Sequence, residues 1–197
     1  MVGTAAAVDV VPLTSERFAD LAELFNEGGD PKWCWCMYFR KRGLDWSNSS
    51  YERNRAGLNE LAGRDPAPGL VAYRDGRAVG WISLGPREDY DRLESAKVLA
   101  RVDDVPVWSI VCFVVSKRAR GQGVASALLA AGIDYARARG ATMLEAYPVP
   151  TSRGRVGAAN AFHGAQSMYE KVGFTVVETR QWNKSSPERP IMRLELG

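Results

Sequence analysis

The stretch that most constrains this chain runs from residue 107 to residue 135. Val107-Trp108-Ser109-Ile110-Val111-Cys112-Phe113-Val114-Val115 is nearly all apolar and rich in β-branched residues, a pattern that suits a central strand covered on both faces. It leads through Lys117-Arg118-Ala119-Arg120-Gly121-Gln122-Gly123 into a segment where Val124, Leu128, Ala131 and Tyr135 fall on one helical stripe. Gly140 stands where the C-terminal cap of that helix belongs. A strand buried on both faces needs helices to cover it, so the expected class is α/β, a mixed sheet with helices on both faces.

The other elements fit around this unit. Residues 14–27 read as a helix, with Leu13, Phe18, Leu21, Leu24 and Phe25 at helical spacing, Thr14 or Ser15 as cap and Gly28-Gly29 as stop. An irregular aromatic stretch follows at 31–39, then a second helix within 47–62. Residues 70–73 and 78–84 read as strands around Arg74-Asp75-Gly76-Arg77, and Asp-Gly is a strong hairpin signal. Residues 86–104 form a charged connection. Met143-Leu144-Glu145-Ala146-Tyr147 reads as a strand stopped by Pro148 and Pro150. Residues 151–161 read as a loop leading to a short helix that ends near Gly173, and 174–181 and 191–196 as two closing antiparallel strands.

Composition excludes several classes. The 197 residues are 46% hydrophobic and 25% charged, the balance of a soluble globular protein of one domain. No apolar run approaches the roughly 20 residues of a membrane helix, so no membrane partner is expected. The first residues carry no basic segment ahead of their apolar ones, so the cytoplasm is the expected compartment. A net charge of +3, with both signs interspersed, asks for no nucleic acid. Three cysteines in such a chain argue for reduced thiols rather than a disulfide framework.

The turn after the central strand carries chemistry. At a helix start the first N–H groups lack intrahelical acceptors and the helix dipole adds partial positive charge, which together make an anion site. Gly121 and Gly123 give the backbone freedom there, and Lys117, Arg118 and Arg120 add full charges, with guanidinium well matched to phosphate. A Gly-x-Gly alone is as readily a simple turn. Here the strand, cations, glycines and amphipathic helix occur in the order a pyrophosphate site needs. No Gly-Lys-Ser/Thr makes a P-loop, and no third glycine completes a dinucleotide fingerprint.

Arg118-x-x-Gly121-x-Gly123 on a strand-to-helix turn resembles the acyl-CoA loop of GNAT acetyltransferases. Met168-Tyr169-Glu170-Lys171-Val172-Gly173-Phe174 is similar to a second element near the C-terminus of that family. The resemblance covers about 70–196 and implies a mostly antiparallel central sheet flanked by helices. It implies a single domain over 1–197, with a helical N-terminal part at 1–65 and the acyl-CoA-binding core at 70–196. It implies acetyl-CoA as acyl donor and an amine as acceptor, in a monomer or homodimer. The donor site it implies comprises Phe113, Val114 and Val115 through their main chain, and Arg118, Arg120, Gly121, Gln122, Gly123, Val124 and Ala125. Many members carry Asn seven residues before the tyrosine. Phe162 stands there, and Asn160 is displaced.

The implied reaction is direct acyl transfer, which needs a neutral amine, a donor to the developing oxyanion and a proton for the departing thiolate. Tyr169 matches the family's proton donor, and its alternative is an interfacial packing role. Glu145 lies on the strand beside the implied cleft and is the candidate base; pairing with an arginine, or a solvated strand face, are its alternatives. Glu88, Asp89 and Asp104 are further candidates, and water can relay the proton instead. The four carboxylates of Glu88-Asp89-Tyr90-Asp91-Arg92-Leu93-Glu94 would attract a cationic amine, or belong to a solvated loop. An enzyme for small amines, a protein acetyltransferase and a silent acyl-CoA sensor all stay open.

Other signals carry less. Cys34-x-Cys36 lacks a second cysteine pair for zinc, and no metal is expected. Cys112 sits in an apolar strand without a base nearby in sequence. His163 is conceivable as a base, with capping or surface exposure as its alternatives. Trp33, Trp35, Tyr38 and Phe39 line an acceptor pocket or close the core.

Overall fold

The structure, a computed structural model, describes residues 7–150 and 162–197. Among these, seven strands form one sheet in the order β1-β2-β3-β4-β5-β7-β6. They are β1 (Asp9–Pro12), β2 (Gly69–Arg74), β3 (Arg77–Pro86), β4 (Trp108–Val115), β5 (Met143–Ala146), β6 (Thr175–Arg180) and β7 (Arg189–Glu195). Only β4 and β5 pair in parallel, so the sheet is mixed and mostly antiparallel, as expected.

Helices cover both faces. On one side α1 (Phe18–Asn26), α2 (Asp30–Cys34), α3 (Gly43–Ser47), α4 (Tyr51–Leu61) and α5 (Asp91–Ser95) surround a core of Phe18, Leu21, Phe25, Trp35, Leu58, Trp81 and Val111. On the other side α6 (Val124–Ala138) and α7 (Gln166–Glu170) bury Leu128, Leu129, Ile82, Ile110, Phe113 and Tyr169. The α6 face is centred on Val124, Leu128, Leu129, Ile133 and Ala136, so Tyr135 is only its flank.

Several expectations shift. The first helix starts at Phe18, because residues 14–17 close a turn through Arg17 N–H to Thr14 O, and neither Thr14 nor Ser15 caps it. The second long helix opens at Tyr51, with Ser50 Oγ accepting from the Arg53 N–H at 3.2 Å. The β2–β3 hairpin turns at Asp75 and Gly76 with φ of 50° and 73°, positive at both positions as a type I′ turn requires. β1 was unforeseen: four residues ending in proline are a weak signal, yet suit an edge strand.

Two irregularities shape the sheet centre. Ser83 pairs with Cys112 but Leu84 with Ile110, so Val111 has no partner on β3. This bulge turns Val111 and Cys112 into the same core and breaks the alternation of β4. Beyond Ile110 and Ala146, β4 and β5 no longer pair. The chain after β5 bonds elsewhere: Val149 N–H donates to Gly164 O, and Gln166 N–H to Val149 O, both at 3.1 Å. The two parallel strands therefore splay at their carboxyl ends.

Candidate active site

The splay opens beside the end of β4. Ser116 N–H donates to Val79 O at 2.9 Å. Strand alternation then turns the main-chain groups of Val114 toward β3 and those of Phe113 and Val115 into the splay. Of the three strand residues expected at the cleft, Val114 thus presents its polar backbone to the neighbouring strand.

The chain after β4 makes a short turn at 117–119, pinned by buried Ala119, and enters α6 through Gly121 and Gly123 at φ of 72° and 80°. A Cβ at either glycine would meet nothing within 4 Å, so conformation rather than close approach requires glycine here. α6 starts without a capping side chain and without an acidic residue in its first turn. Its first N–H groups, including those of Val124 and Ala125, therefore have no side-chain acceptor, and Lys117, Arg118 and Arg120 stand exposed around them. Uncapped donors and surplus cations fit the diphosphate of acetyl-CoA.

The loop also has a partner that sequence spacing could not show. Arg74, at the end of β2, donates from Nη1 to Gln122 Oε1 and from Nη2 to the Gln122 main-chain oxygen at 3.3 Å. Gln122 Nε2 donates to Arg118 O at 2.8 Å, and Arg120 Nε to Val115 O at 3.4 Å. The Gln122 side chain is thus committed within the protein.

Tyr169 is fully buried in α7, with its ring against Phe113 and Phe174 and its hydroxyl donating to His163 O at 3.0 Å. Burial, with the Cys112 thiol adding to it, pushes its pKa well above the usual 10. Tyr169 therefore stays protonated beside the strand that borders the splay. His163 packs between Phe162 and Phe39, at ring distances of 4.2 and 5.8 Å. Burial and then the charge of Arg189 push its pKa down to about 3. Its ring is half-buried rather than surface-exposed, and it does not cap α7. Asn160 lies outside the described residues.

Glu145 belongs to a buried ion network. Its Oε1 accepts from Arg87 Nη1 at 2.9 Å and from the Tyr147 hydroxyl at 2.7 Å, and its Oε2 accepts from Arg193 Nε at 2.8 Å. Arg87 uses all five donors: Nε to Glu94, Nη1 to Glu145 and Tyr147, Nη2 to Leu93 O and Leu99 O. Arg193 also holds Asp103 through two hydrogen bonds. This geometry is the arginine pairing named among the alternatives for Glu145. Three of the four carboxylates of the acidic connection are paired in the same way, while Asp91, like Asp104 beyond it, is exposed. Glu88 pairs with Arg101, Asp89 with Arg40 and Arg64, and Glu94 with Arg87 and Arg101.

The remaining signals divide. Trp35 and Phe39 are core, whereas Trp33 and Tyr38 are exposed. Cys36 and Cys112 are buried free thiols with Sγ atoms 3.6 Å apart, and Trp81 Nε1 donates to Cys36 Sγ at 3.2 Å. The Cys112 contact and burial hold the Cys36 thiol well above its usual range, so it is a poor nucleophile. No group of metal-binding side chains occurs among the described residues, and no described helix is long and apolar enough to cross a membrane.

A parallel strand pair that splays beside a basic, uncapped helix start leaves a cleft with an anion site at one end. The profile of the acetyltransferase (GNAT) family matches residues 32–174, and the chain belongs to that family, whose enzymes take their acetyl group from acetyl-CoA. No curated protein matches the chain. Solved structures share the fold. The yncA protein of Salmonella typhimurium, determined with acetyl-CoA, is 18% identical with a TM-score of 0.56, over 97% of this chain and 95% of that one. A polyamine N-acetyltransferase of Drosophila melanogaster is 12% identical with a TM-score of 0.57, over 96% and 100%. The ribosomal-protein-S18-alanine N-acetyltransferase of Escherichia coli is 16% identical with a TM-score of 0.52, over 97% and 95%.

Proposed function

We propose that this acetyltransferase moves an acetyl group from acetyl-CoA to a primary amine of a small molecule by direct transfer. The observation that carries the reading is the splay between β4 and β5, with the cationic loop at one end and the buried Tyr169 at its edge. In this reading 1–197 act as one unit, and 70–196 hold the donor. Main-chain N–H groups of Gly121, Gly123, Val124 and Ala125, with Arg118 and Arg120, hold the diphosphate. Main-chain groups of Phe113 and Val115 line the pantetheine arm and supply the donor to the acyl oxygen. When bound, the thioester supplies an activated acetyl group.

Tyr169, protonated at neutral pH, gives its proton to the departing sulfur as negative charge develops there. Glu145, Glu88 and Asp89 are all engaged by guanidinium groups, which leaves water or the exposed Asp104 to take the proton from the amine. Phe39, Phe162 and a neutral His163 form a compact apolar wall near Tyr169, which favours a small acceptor over an extended peptide. The fold shared with a polyamine N-acetyltransferase is consistent with that class.

The test is release of free thiol from acetyl-CoA against a panel of primary amines and short peptides. Small amines should turn over, and Tyr169→Phe should lower kcat by about 10²-fold with little change in KM. Turnover of peptides alone would replace the small-molecule reading. Acetyl-CoA binding without turnover of any acceptor would make the protein a sensor.

A further inference from the structure

The donor loop is braced from outside. Arg74 reaches it from the β2–β3 hairpin, donating to both the side-chain and main-chain oxygens of Gln122, and Gln122 passes the link on to Arg118 O. In a peptide unit the C=O and N–H point in opposite directions. Fixing the Gln122 carbonyl on the hairpin side therefore leaves the Gly123 N–H, of the same peptide unit, on the other, while the Ala119 N–H is held by Ser116 O. Gly121 and Gly123 occupy left-handed backbone regions that favour glycine, and an exposed loop built on two such residues has much freedom to lose when a ligand binds. A guanidinium fork that holds two acceptors at once removes that freedom beforehand. It also adds a positive charge to those of Lys117, Arg118 and Arg120.

We infer that Arg74 is a positioning residue of the donor site: through Gln122 it holds the loop amides ready for the diphosphate of acetyl-CoA. This rests on the donor-site reading above. Neither residue touches the acyl group, so the effect belongs to affinity and not to chemistry.

The experiment is calorimetric titration of coenzyme A into the wild type, Arg74→Ala, Arg74→Lys, Gln122→Ala and the double alanine variant. Arg74→Ala should weaken binding about tenfold, the scale of one charge-assisted hydrogen bond. Arg74→Lys, which can serve only one acceptor, should restore part of it. Gln122→Ala should weaken binding similarly, and the double variant no further, because both cut one chain. In turnover, KM for acetyl-CoA should rise while kcat is kept, and a donor truncated to acetyl-pantetheine should show no dependence on Arg74. Equal coenzyme A affinity in wild type and Arg74→Ala would overturn the inference, as would an equal effect on the truncated donor. Should Arg74→Ala fail to fold, exposed Gln122 tests the same link. A wild type that binds no coenzyme A would remove the donor site and this inference together.

Discussion

Both oxygens of Glu145 are occupied, one by Arg87 and Tyr147 and the other by Arg193, and these partners decide what the residue can do. The two arginines lie 58 and 48 positions away in sequence, so no local pattern could separate a base from an ion pair. Removing one charge from a buried network leaves the others uncompensated. Glu145→Gln should therefore lower the unfolding free energy by about 3 kcal/mol in urea titrations, with the remaining folded enzyme active. Full stability with abolished turnover would mark a catalytic base instead. His163 is the chain's one histidine, so its titration can be followed by NMR without assignment. Its folded pKa of about 3 lies below the ordinary 6.5, so the unfolded chain takes up the proton first as pH falls. The stability it contributes is complete above pH 6.5 and is lost toward pH 3, at up to about 1.4 kcal/mol per pH unit. His163→Gln should remove that part of the acid sensitivity, and an imidazole titrating near 6.5 would contradict the burial.

At the scale of elements, contiguous chemistry was legible and assembled chemistry was not. The Asp75-Gly76 hairpin, β4, the Gly121-Gln122-Gly123 turn and α6 each announce themselves within about a dozen residues, through turn conformation, burial and helical period. The bulge at Val111 is invisible in an apolar run, because either face of the strand is buried. The splay is equally hidden, since it depends on the chain after β5 bonding to 164–166. The seat of α6 rests on a glycine that no motif flags. A Cβ at Gly80 would lie 2.6 Å from Val124 Cγ1 and 2.9 Å from Leu128 Cδ1. Gly80→Ala should push the first turn of α6 off the sheet, costing about 1–3 kcal/mol in unfolding free energy and weakening acetyl-CoA binding together. Normal binding in a destabilised variant would separate the seat of the helix from the donor site.

For the whole molecule, the two halves of the reaction are encoded differently. The proposed donor half is nearly continuous, from β4 through Ala125, and so could be read from sequence as a strand, a charged turn and a helix. The proposed acceptor wall joins Phe39 with Phe162 and His163, segments that only the fold brings together. Glu88, Asp89 and Glu94 looked like part of an acidic lure for cationic amines until the fold supplied their arginine partners. Tyr169 bridges the two, recognisable in its Tyr-Glu-Lys-x-Gly-Phe setting and placed by the fold against Phe113. The central claim is that the turn from Arg118 to Gly123 holds the diphosphate of acetyl-CoA. Its most direct test is calorimetric titration of acetyl-CoA into the wild type and Gly121→Glu, with Tm measured on both. We predict saturable binding by the wild type, lost in the variant, which places a carboxylate in the anion site while the fold persists. Absence of binding in the wild type, or equal binding in a folded Gly121→Glu, would contradict the account.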